Sequence, residues 1–182
     1  MKNTDISIYV PVYNGEKTLE RCINSVLEQS IKPSNILILN DCSNDNTIEI
    51  LKKYGGLIRI KSNQSNLGLS LSRNIAVNEL KTRYIASIDA DVELDKYWLE
   101  ILYSSILKND ATLAGGRMYE KFLNNPFNHW RSLRIGQQWG DKDLTEPSFI
   151  FGCNNILDTE RIEKKDIYLF EGDYFKTNGE DL

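Results

Sequence analysis

The sequence has little histidine, cysteine or proline. Its 182 residues include 1 histidine, 3 cysteines and 4 prolines. The cysteines, Cys22, Cys42 and Cys153, show no C-x-x-C spacing, which argues against a zinc site and predicts reduced thiols. So few prolines also argue against a long disordered linker.

The sequence also lacks a basic excess and a long apolar run. Its 22 basic and 26 acidic residues give a net charge of −4, so a nucleic-acid partner is not expected. No apolar run approaches the roughly 20 residues of a membrane-spanning helix. The polar N-terminus shows no signal peptide. The odd number of cysteines without C-x-x-C spacing leads us to expect a cytoplasmic protein.

Glycine-rich phosphate loops are absent. The sequence contains no G-x-G-x-x-G, no G-x-x-x-x-G-K-[ST] and no G-x-S-x-G. A dinucleotide-binding Rossmann domain, a P-loop protein and a hydrolase with a nucleophile elbow are therefore excluded. If the ligand is a nucleotide, another group must neutralise its phosphates.

The hydrophobic pattern predicts alternating strands and helices, which is typical of an α/β sheet with mostly parallel strands flanked by helices. After residue 112 the pattern weakens and predicts a smaller second-sheet region with irregular chain over 119–147. The predicted strands cover 6–11, 36–39, 57–60, 84–88, 113–118 and 149–157, and the predicted helices cover 19–27, 47–54, 69–80 and 98–106, with a helical turn over 158–163.

Three polar clusters follow predicted strands: Tyr13-Asn14, Asn40-Asp41 and Asp89-Ala90-Asp91. In open α/β sheets, ligands bind beyond the carboxyl ends of the strands. Asp89 and Asp91, two residues apart, can face one point, and their hard oxygen ligands suit Mg²⁺ or Mn²⁺. A second D-x-D, Asp141-Lys142-Asp143, follows no strand and is interpreted as a solvated loop.

Six segments, in order along nearly the whole chain, resemble motifs of the family 2 glycosyltransferases with the GT-A fold. Asn40 and Cys42 stand where that family usually has Asp and Gly. The segments are Ile8-Tyr9-Val10-Pro11-Val12-Tyr13-Asn14, Leu39-Asn40-Asp41-Cys42-Ser43-Asn44-Asp45, Asn66-Leu67-Gly68 with Ser72-Arg73-Asn74, Asp89-Ala90-Asp91, Gly152-Cys153-Asn154 and Glu180-Asp181.

The resemblance implies roles for particular residues. Asp91 would bind the metal together with Asp89, which would also reach the ribose. Asp181 would be the general base, supported by Glu180. The remaining donor-binding positions would be Pro11 and Tyr13 in the base pocket, Asp41 on the base, Arg73 near the base or phosphates, and the neighbouring Asn14, Asn66, Gly68 and Ala90.

The resemblance further implies transfer of a sugar, with inversion, from a nucleotide diphosphate sugar, UDP-linked by preference. The acceptor would be a hydroxyl of a glycan, a lipid-linked molecule or another compound, and Mn²⁺ or Mg²⁺ would be the cofactor. We expect a single domain over 1–182, with a donor half over 1–110 and an incomplete acceptor half over 111–182. Because nothing follows Leu182, the chain is interpreted as a catalytic domain cut short. Peripheral association with the inner face of the membrane would then depend on the missing C-terminal part.

Two other functions stay open at this point. A sugar-1-phosphate nucleotidyltransferase would share the sheet and the metal, but it resembles a glycine-rich G-x-G-x-R loop that this sequence lacks. A non-catalytic nucleotide-binding module is the other alternative. Trp130 and Trp139 could stack on an acceptor sugar, although packing in the core or at an edge is the expected role.

Overall fold

The computed structural model describes residues 4–134, 143–148 and 150–162. Strands and helices alternate through the first four strands, as the hydrophobic pattern predicts. The elements are β1 (Ile6–Val12), α1 (Leu19–Leu27), β2 (Asn35–Asn40), α2 (Thr47–Lys52), β3 (Arg59–Ser62), α3 (Leu69–Glu79), β4 (Tyr84–Ile88), α4 (Trp98–Asn109), β5 (Leu113–Gly115), α5 (Pro126–Arg134), β6 (Asn154–Asp158) and a 3-10 turn at Thr159–Arg161.

The strands form a six-stranded sheet in the order β3-β2-β1-β4-β6-β5. β1 to β4 are mutually parallel, whereas β6 runs antiparallel to both β4 and β5. The predicted mostly parallel α/β fold is therefore confirmed. The strands after the D-x-D motif extend this same sheet within the described residues, since β6 pairs with β4 along its whole length, so the separate second sheet expected there is not formed.

Alternation along the buried strands separates two hydrophobic cores. In β1, Ile6, Ile8 and Val10 pack with α1, α2 and α4 on one face of the sheet. Tyr9 faces the other side, where it packs with Leu37 and Leu39 of β2 and with α3. Both faces of the central strands are thus covered, which explains their nearly continuous apolar sequences.

β1 continues one residue past Pro11. The carbonyls of Ile6 and Val12 accept hydrogen bonds from Ser34 and Asp41 on the β2 side. By alternation Pro11 faces β4, and the β1–β4 pairing ends at Tyr9. The amide hydrogen that proline lacks is therefore not needed by that ladder, and the strand tolerates the residue.

Several predicted boundaries are displaced. β3 begins at Arg59 because a turn at Gly56, whose φ is +84°, occupies the start of the predicted strand. β6 begins only at Asn154, whose amide closes a turn onto the carbonyl of Phe151. α2 begins at Thr47, as predicted, and ends at Lys52, two residues before its predicted end.

Helix α5 lies inside the region predicted to be irregular. Its start carries two ordinary signals, Pro126 in the first helical position and Asn125 before it. The Oδ1 of Asn125 accepts a hydrogen bond of 2.8 Å from the amide of Asn128. An asparagine cap followed by proline is typical of a helix start, so this signal could have predicted α5.

No helix among the described residues is long and apolar enough to cross a membrane. The three cysteines are free, which agrees with the expectation of reduced thiols.

Cys42 adopts a left-handed backbone conformation, with φ +61°, on an exposed loop. Such a conformation costs a non-glycine residue about 1–2 kcal/mol, more than the roughly 0.5–1 kcal/mol that glycine loses in chain entropy. We expect Cys42→Gly to stabilise the protein by about 0.5–1 kcal/mol in urea denaturation.

The matched control is Asn44→Gly in the same loop, since Asn44 is exposed and is not among the residues with positive φ. Glycine there should destabilise the protein through chain entropy alone. Equal effects of the two substitutions would contradict strain at Cys42.

Candidate active site

The strand order reverses next to β1, and the polar clusters meet there. The chain moves outward from β1 through β2 to β3 and then returns to β4 on the other side of β1. The carboxyl ends of these parallel strands lie along one edge, so the residues after β1, β2 and β4 face a common crevice. Such a reversal is where open α/β sheets bind ligands.

Reciprocal hydrogen bonds hold the loops after β1 and β2 together. The amide of Asn14 donates to Ser43 Oγ at 2.9 Å, and Asn14 Oδ1 accepts from the amide of Asn44 at 2.9 Å. The amide of Gly15 donates to Thr47 Oγ1 at 2.8 Å. Asn14 has φ +53°, a conformation that asparagine tolerates. The described contacts of Asn14 therefore fix the rim of the crevice.

Asp41 anchors the loop after β3. This residue is 4% exposed. Its Oδ1 accepts from Asn63 Nδ2 at 2.6 Å and from the amide of Leu67 at 2.9 Å, and its Oδ2 accepts from the amide of Gly68 at 2.8 Å. Both carboxylate oxygens of Asp41 thus accept hydrogen bonds from donors within the protein. The expected hydrogen bond from the N–H of a nucleotide base to the carboxylate of Asp41 stays a prediction beside this structural role.

Asp89 pairs with a buried arginine. Arg73 lies on α3, and its Nη2 donates to Asp89 Oδ1 at 2.8 Å. The side chain of Arg73 is 2% exposed and that of Asp89 31% exposed. A buried guanidinium requires a compensating charge, and this ion pair supplies it. The pair also fixes one carboxylate oxygen of Asp89, which is the first aspartate of the D-x-D motif after β4.

Asp91 carries the electrostatic character expected of a cation site. Partial loss of hydration and the negative charge of Asp89 raise the pKa of Asp91. A divalent cation beside Asp91 would act in the opposite direction and lower this pKa. No group of three or more His, Cys, Asp or Glu side chains gathers within the part of the chain that the structure describes. Two carboxylates fit Mg²⁺ or Mn²⁺, since Mg²⁺ commonly binds one or two carboxylates plus phosphates and water.

The segment after β5 lies near the D-x-D motif and places the positively charged side chain of Arg131 close to it. Lys121 Nζ pairs with Glu93 Oε2 at 2.5 Å, and the guanidinium of Arg21 lies 4.8 Å from the ring centre of Phe122. Arg131 of α5 donates from Nε to Glu120 Oε2 at 3.0 Å, and its charge lowers the pKa of Asp91 against the larger effects that raise it. The sequence patterns did not single out Arg131, because they did not predict α5.

The other expected site residues take varied positions. Tyr13 is 50% exposed after β1, and Pro11 is buried within β1. Asn66 Oδ1 accepts from the amide of Gly68 at 3.0 Å, and Ala90 is partly buried against the core. Glu180 and Asp181 lie outside the described residues, so their catalytic assignment stays a prediction.

The aromatic residues after β5 also bear on the expectations. Trp130 stacks on Phe127 with ring centres 6.3 Å apart and is 52% exposed. Trp130 therefore does not pack in the core, and of the two expected packing roles only packing at an edge remains. Trp139 lies outside the described residues.

The mostly parallel six-stranded sheet flanked by helices is a fold of the GT-A type. The model of glycosyl transferase family 2 matches residues 7–164. The chain therefore belongs to glycosyltransferase family 2.

This chain aligns with only part of the length of the following curated relatives. The poly(ribitol-phosphate) beta-N-acetylglucosaminyltransferase TarP of Staphylococcus aureus is 36% identical over 117 residues, covering 62% of this chain and 36% of TarP. The glycosyltransferase GlyA of Streptococcus pneumoniae is 34% identical over 116 residues, covering 63% of this chain and 17% of GlyA. An uncharacterised glycosyltransferase of Haemophilus influenzae is 33% identical over 182 residues, covering 93% of this chain. The chain spans 56% of that third relative.

Solved structures share the fold. TarS 1-349 of S. aureus in complex with UDP-GlcNAc aligns with a TM-score of 0.57 at 25% identity, covering 63% of this chain and 34% of the TarS chain. The mannosyltransferase PcManGT of Pyrobaculum calidifontis, in complex with GDP-Man and Mn²⁺, aligns with a TM-score of 0.65 at 13% identity. That alignment covers 88% of this chain and 46% of PcManGT.

The anchoring role of Asp41 predicts a loss of stability. Asp41→Ala leaves the donors of Asn63, Leu67 and Gly68 without their acceptor, which should cost on the order of 3 kcal/mol in urea denaturation. The exposed Asp143 is the control, and Asp143→Ala should change stability by less than about 0.5 kcal/mol. Equal stabilities of the two variants would contradict the anchoring role.

Proposed function

We propose that the protein is a metal-dependent glycosyltransferase that moves a sugar from a UDP-linked donor to an acceptor hydroxyl, with inversion at the anomeric carbon. The observation that carries this proposal is the position of Asp89 and Asp91. They follow β4 directly, beside the reversal of strand order, in a chain that belongs to glycosyltransferase family 2.

The relatives support a nucleotide-sugar donor. TarS 1-349 was solved with UDP-GlcNAc, and PcManGT with GDP-Man and Mn²⁺. TarP, at 36% identity, is described as an N-acetylglucosaminyltransferase. The preference for UDP rests on the TarS complex, and the acceptor is proposed only as a hydroxyl of a glycan, a lipid-linked molecule or another compound. The proposed cytoplasmic location rests on sequence composition.

Asp91 is proposed as the main metal ligand. Asp89 has one oxygen engaged by Arg73, so it joins through its remaining carboxylate oxygen or acts on the ribose. A bound Mn²⁺ or Mg²⁺ would offset the negative charge that develops on the departing diphosphate. This role matches the absence of a glycine-rich loop that could hold phosphates instead.

The proposed reaction is a single displacement. The acceptor oxygen forms a bond to the anomeric carbon while the bond from that carbon to the diphosphate oxygen breaks, and the electron pair leaves with UDP. The acceptor proton passes to the carboxylate of Asp181, with Glu180 beside it in sequence. Attack opposite the leaving group inverts the anomeric configuration. The general base lowers the barrier by removing the proton as the new bond forms.

Cation-dependent UDP binding tests the donor site. We expect Mn²⁺ to raise UDP affinity, because the acidic pair and the diphosphate repel each other without it. Asp91→Asn should abolish that gain, a change of about tenfold or more, corresponding to at least 1.4 kcal/mol. Titration calorimetry with Mn²⁺ and with EDTA measures the difference.

Asp143→Asn is the matched control, since Asp143 is also the third residue of a D-x-D but is exposed, and the sequence pattern predicts no strand before that motif. It should bind UDP like the wild type. UDP affinity that is equal in Mn²⁺ and EDTA would refute the metal role. Cation-dependent binding without transfer to any acceptor would instead favour a non-catalytic module, and release of pyrophosphate from UTP and a sugar phosphate would favour a nucleotidyltransferase.

Asp181→Asn separates catalysis from binding. Asparagine keeps the shape of the side chain but does not take the proton, so we expect transfer to fall about 10²- to 10⁴-fold. UDP affinity should stay unchanged, because a general base acts in the transition state. Release of UDP from the donor sugar in the presence of acceptor measures the rate. Normal turnover by this variant would place the base elsewhere.

A further inference from the structure

Arg73 is enclosed at the wall of the candidate site. Its side chain is 2% exposed, so it offers almost no surface to a ligand, yet its Nη2 donates to Asp89 Oδ1 at 2.8 Å. Asp89 is the more accessible partner, with 31% of its side chain exposed. Arg73 can therefore influence a ligand through the position of Asp89 without contacting the ligand itself.

Gly152, in the turn before β6, packs directly on the guanidinium of Arg73. A Cβ atom at this position would lie 2.9 Å from Arg73 Nη1 and 3.3 Å from Cζ, which is too close for the present arrangement. The turn is itself held, since Asn155 Nδ2 donates to the carbonyl of Gly152 at 3.0 Å and to that of Phe151 at 2.9 Å.

The reason for a glycine at position 152 is space rather than backbone conformation. The glycines with positive φ in the described part of the chain are Gly56 and Gly68, so alanine suits the backbone of Gly152. Because Arg73 is enclosed, its guanidinium cannot avoid an added methyl group and also keep its present position against Asp89. A side chain at position 152 should therefore displace the guanidinium and, with it, Asp89.

We propose that Arg73 is a positioning residue that orients Asp89 toward the cation bound with the donor, and that Gly152 is required because only a residue without a side chain leaves room for this guanidinium. The inference rests on the proposed function, since it assigns the arginine to the same donor site. Groups that orient metal ligands commonly change metal affinity about 10- to 100-fold when they are altered.

A second arginine–carboxylate pair provides a control for stability. Arg83 precedes β4 at the end opposite Asp89, and its Nη2 donates to Oδ2 of Asp158 at 2.8 Å. Asp158 is 1% exposed, so its carboxylate is also buried. Arg83 is 36% exposed, so Arg83→Lys should disturb a partly buried arginine–aspartate pair away from the site.

The experiment measures UDP affinity by calorimetry in Mn²⁺ and in EDTA. Gly152→Ala should lower the affinity in Mn²⁺ by about 10-fold or more and leave the affinity in EDTA unchanged, because the charges are intact and only the orientation of Asp89 is altered. Arg73→Lys should give the same pattern. Gly152→Ala in the Arg73→Lys background should have no further effect, since the shorter lysine head leaves space for the methyl group.

Gly55→Ala and Arg83→Lys are the controls. A Cβ at Gly55 would meet only the carbonyl of Lys52, at an ordinary 3.6 Å. Gly55→Ala should bind UDP like the wild type, and so should Arg83→Lys even where it lowers stability. If Gly152→Ala does not fold, Arg73→Lys carries the test, since it creates room instead of a clash.

The outcomes separate this inference from the proposed function. A wild-type protein without cation-dependent UDP affinity refutes the proposed function and this inference together. Cation-dependent affinity in the wild type that persists in Gly152→Ala or Arg73→Lys refutes the inference alone. Additive losses in the double variant would also overturn it, because they would show that the glycine and the arginine act independently.

Discussion

The parallel pairing of β1 with both β2 and β4 determines where this protein can bind a ligand. It places the carboxyl ends of β2, β1 and β4, which are neighbours in the sheet, along one edge. The reversal of strand order lies between β1 and β4. Cores on both faces of the sheet hold these strands in place. The polar residues that follow the strands therefore meet without a dedicated glycine-rich loop.

Three carboxylates at this edge interact with their surroundings in different ways. Asp41 accepts hydrogen bonds from the loop after β3 and so stabilises the wall of the crevice. Asp89 pairs with the enclosed Arg73, while Asp91 lies beside it with a raised pKa. A buried carboxylate needs donors, and an ionised carboxylate next to another needs a positive charge. The first need is met within the chain, whereas a bound cation would meet the second.

Much of the fold could be predicted because the spacing of hydrophobic residues along the sequence follows which side chains are buried. β4 covers the predicted residues 84–88, and α3 ends one residue before its predicted end. β3 has the predicted length but begins two residues later than predicted, because the apolar residues after Gly56 did not reveal the turn there. The Asn125-Pro126 signal for α5 was present in the sequence but lay within an irregular hydrophobic pattern.

The site could be predicted in part. Position after a strand was enough to single out Asp41, Asp89 and Asp91. The enclosure of Arg73 by Gly152 could not be predicted, because it depends on a contact between α3 and the turn before β6 that no local pattern encodes. The donors on Asp41 likewise come from a loop that follows a different strand.

A crystal structure of the protein with UDP and Mn²⁺ tests the central claim most directly, since the anomalous signal of manganese locates the ion without reference to the side chains. The account predicts a peak within about 2.1 Å of an Asp91 carboxylate oxygen, a distance typical of small divalent cations, with the diphosphate beside it. It also predicts that Arg73 remains paired with Asp89. Bound UDP with no manganese near Asp91, or with the ion at another carboxylate such as Asp143, would contradict it.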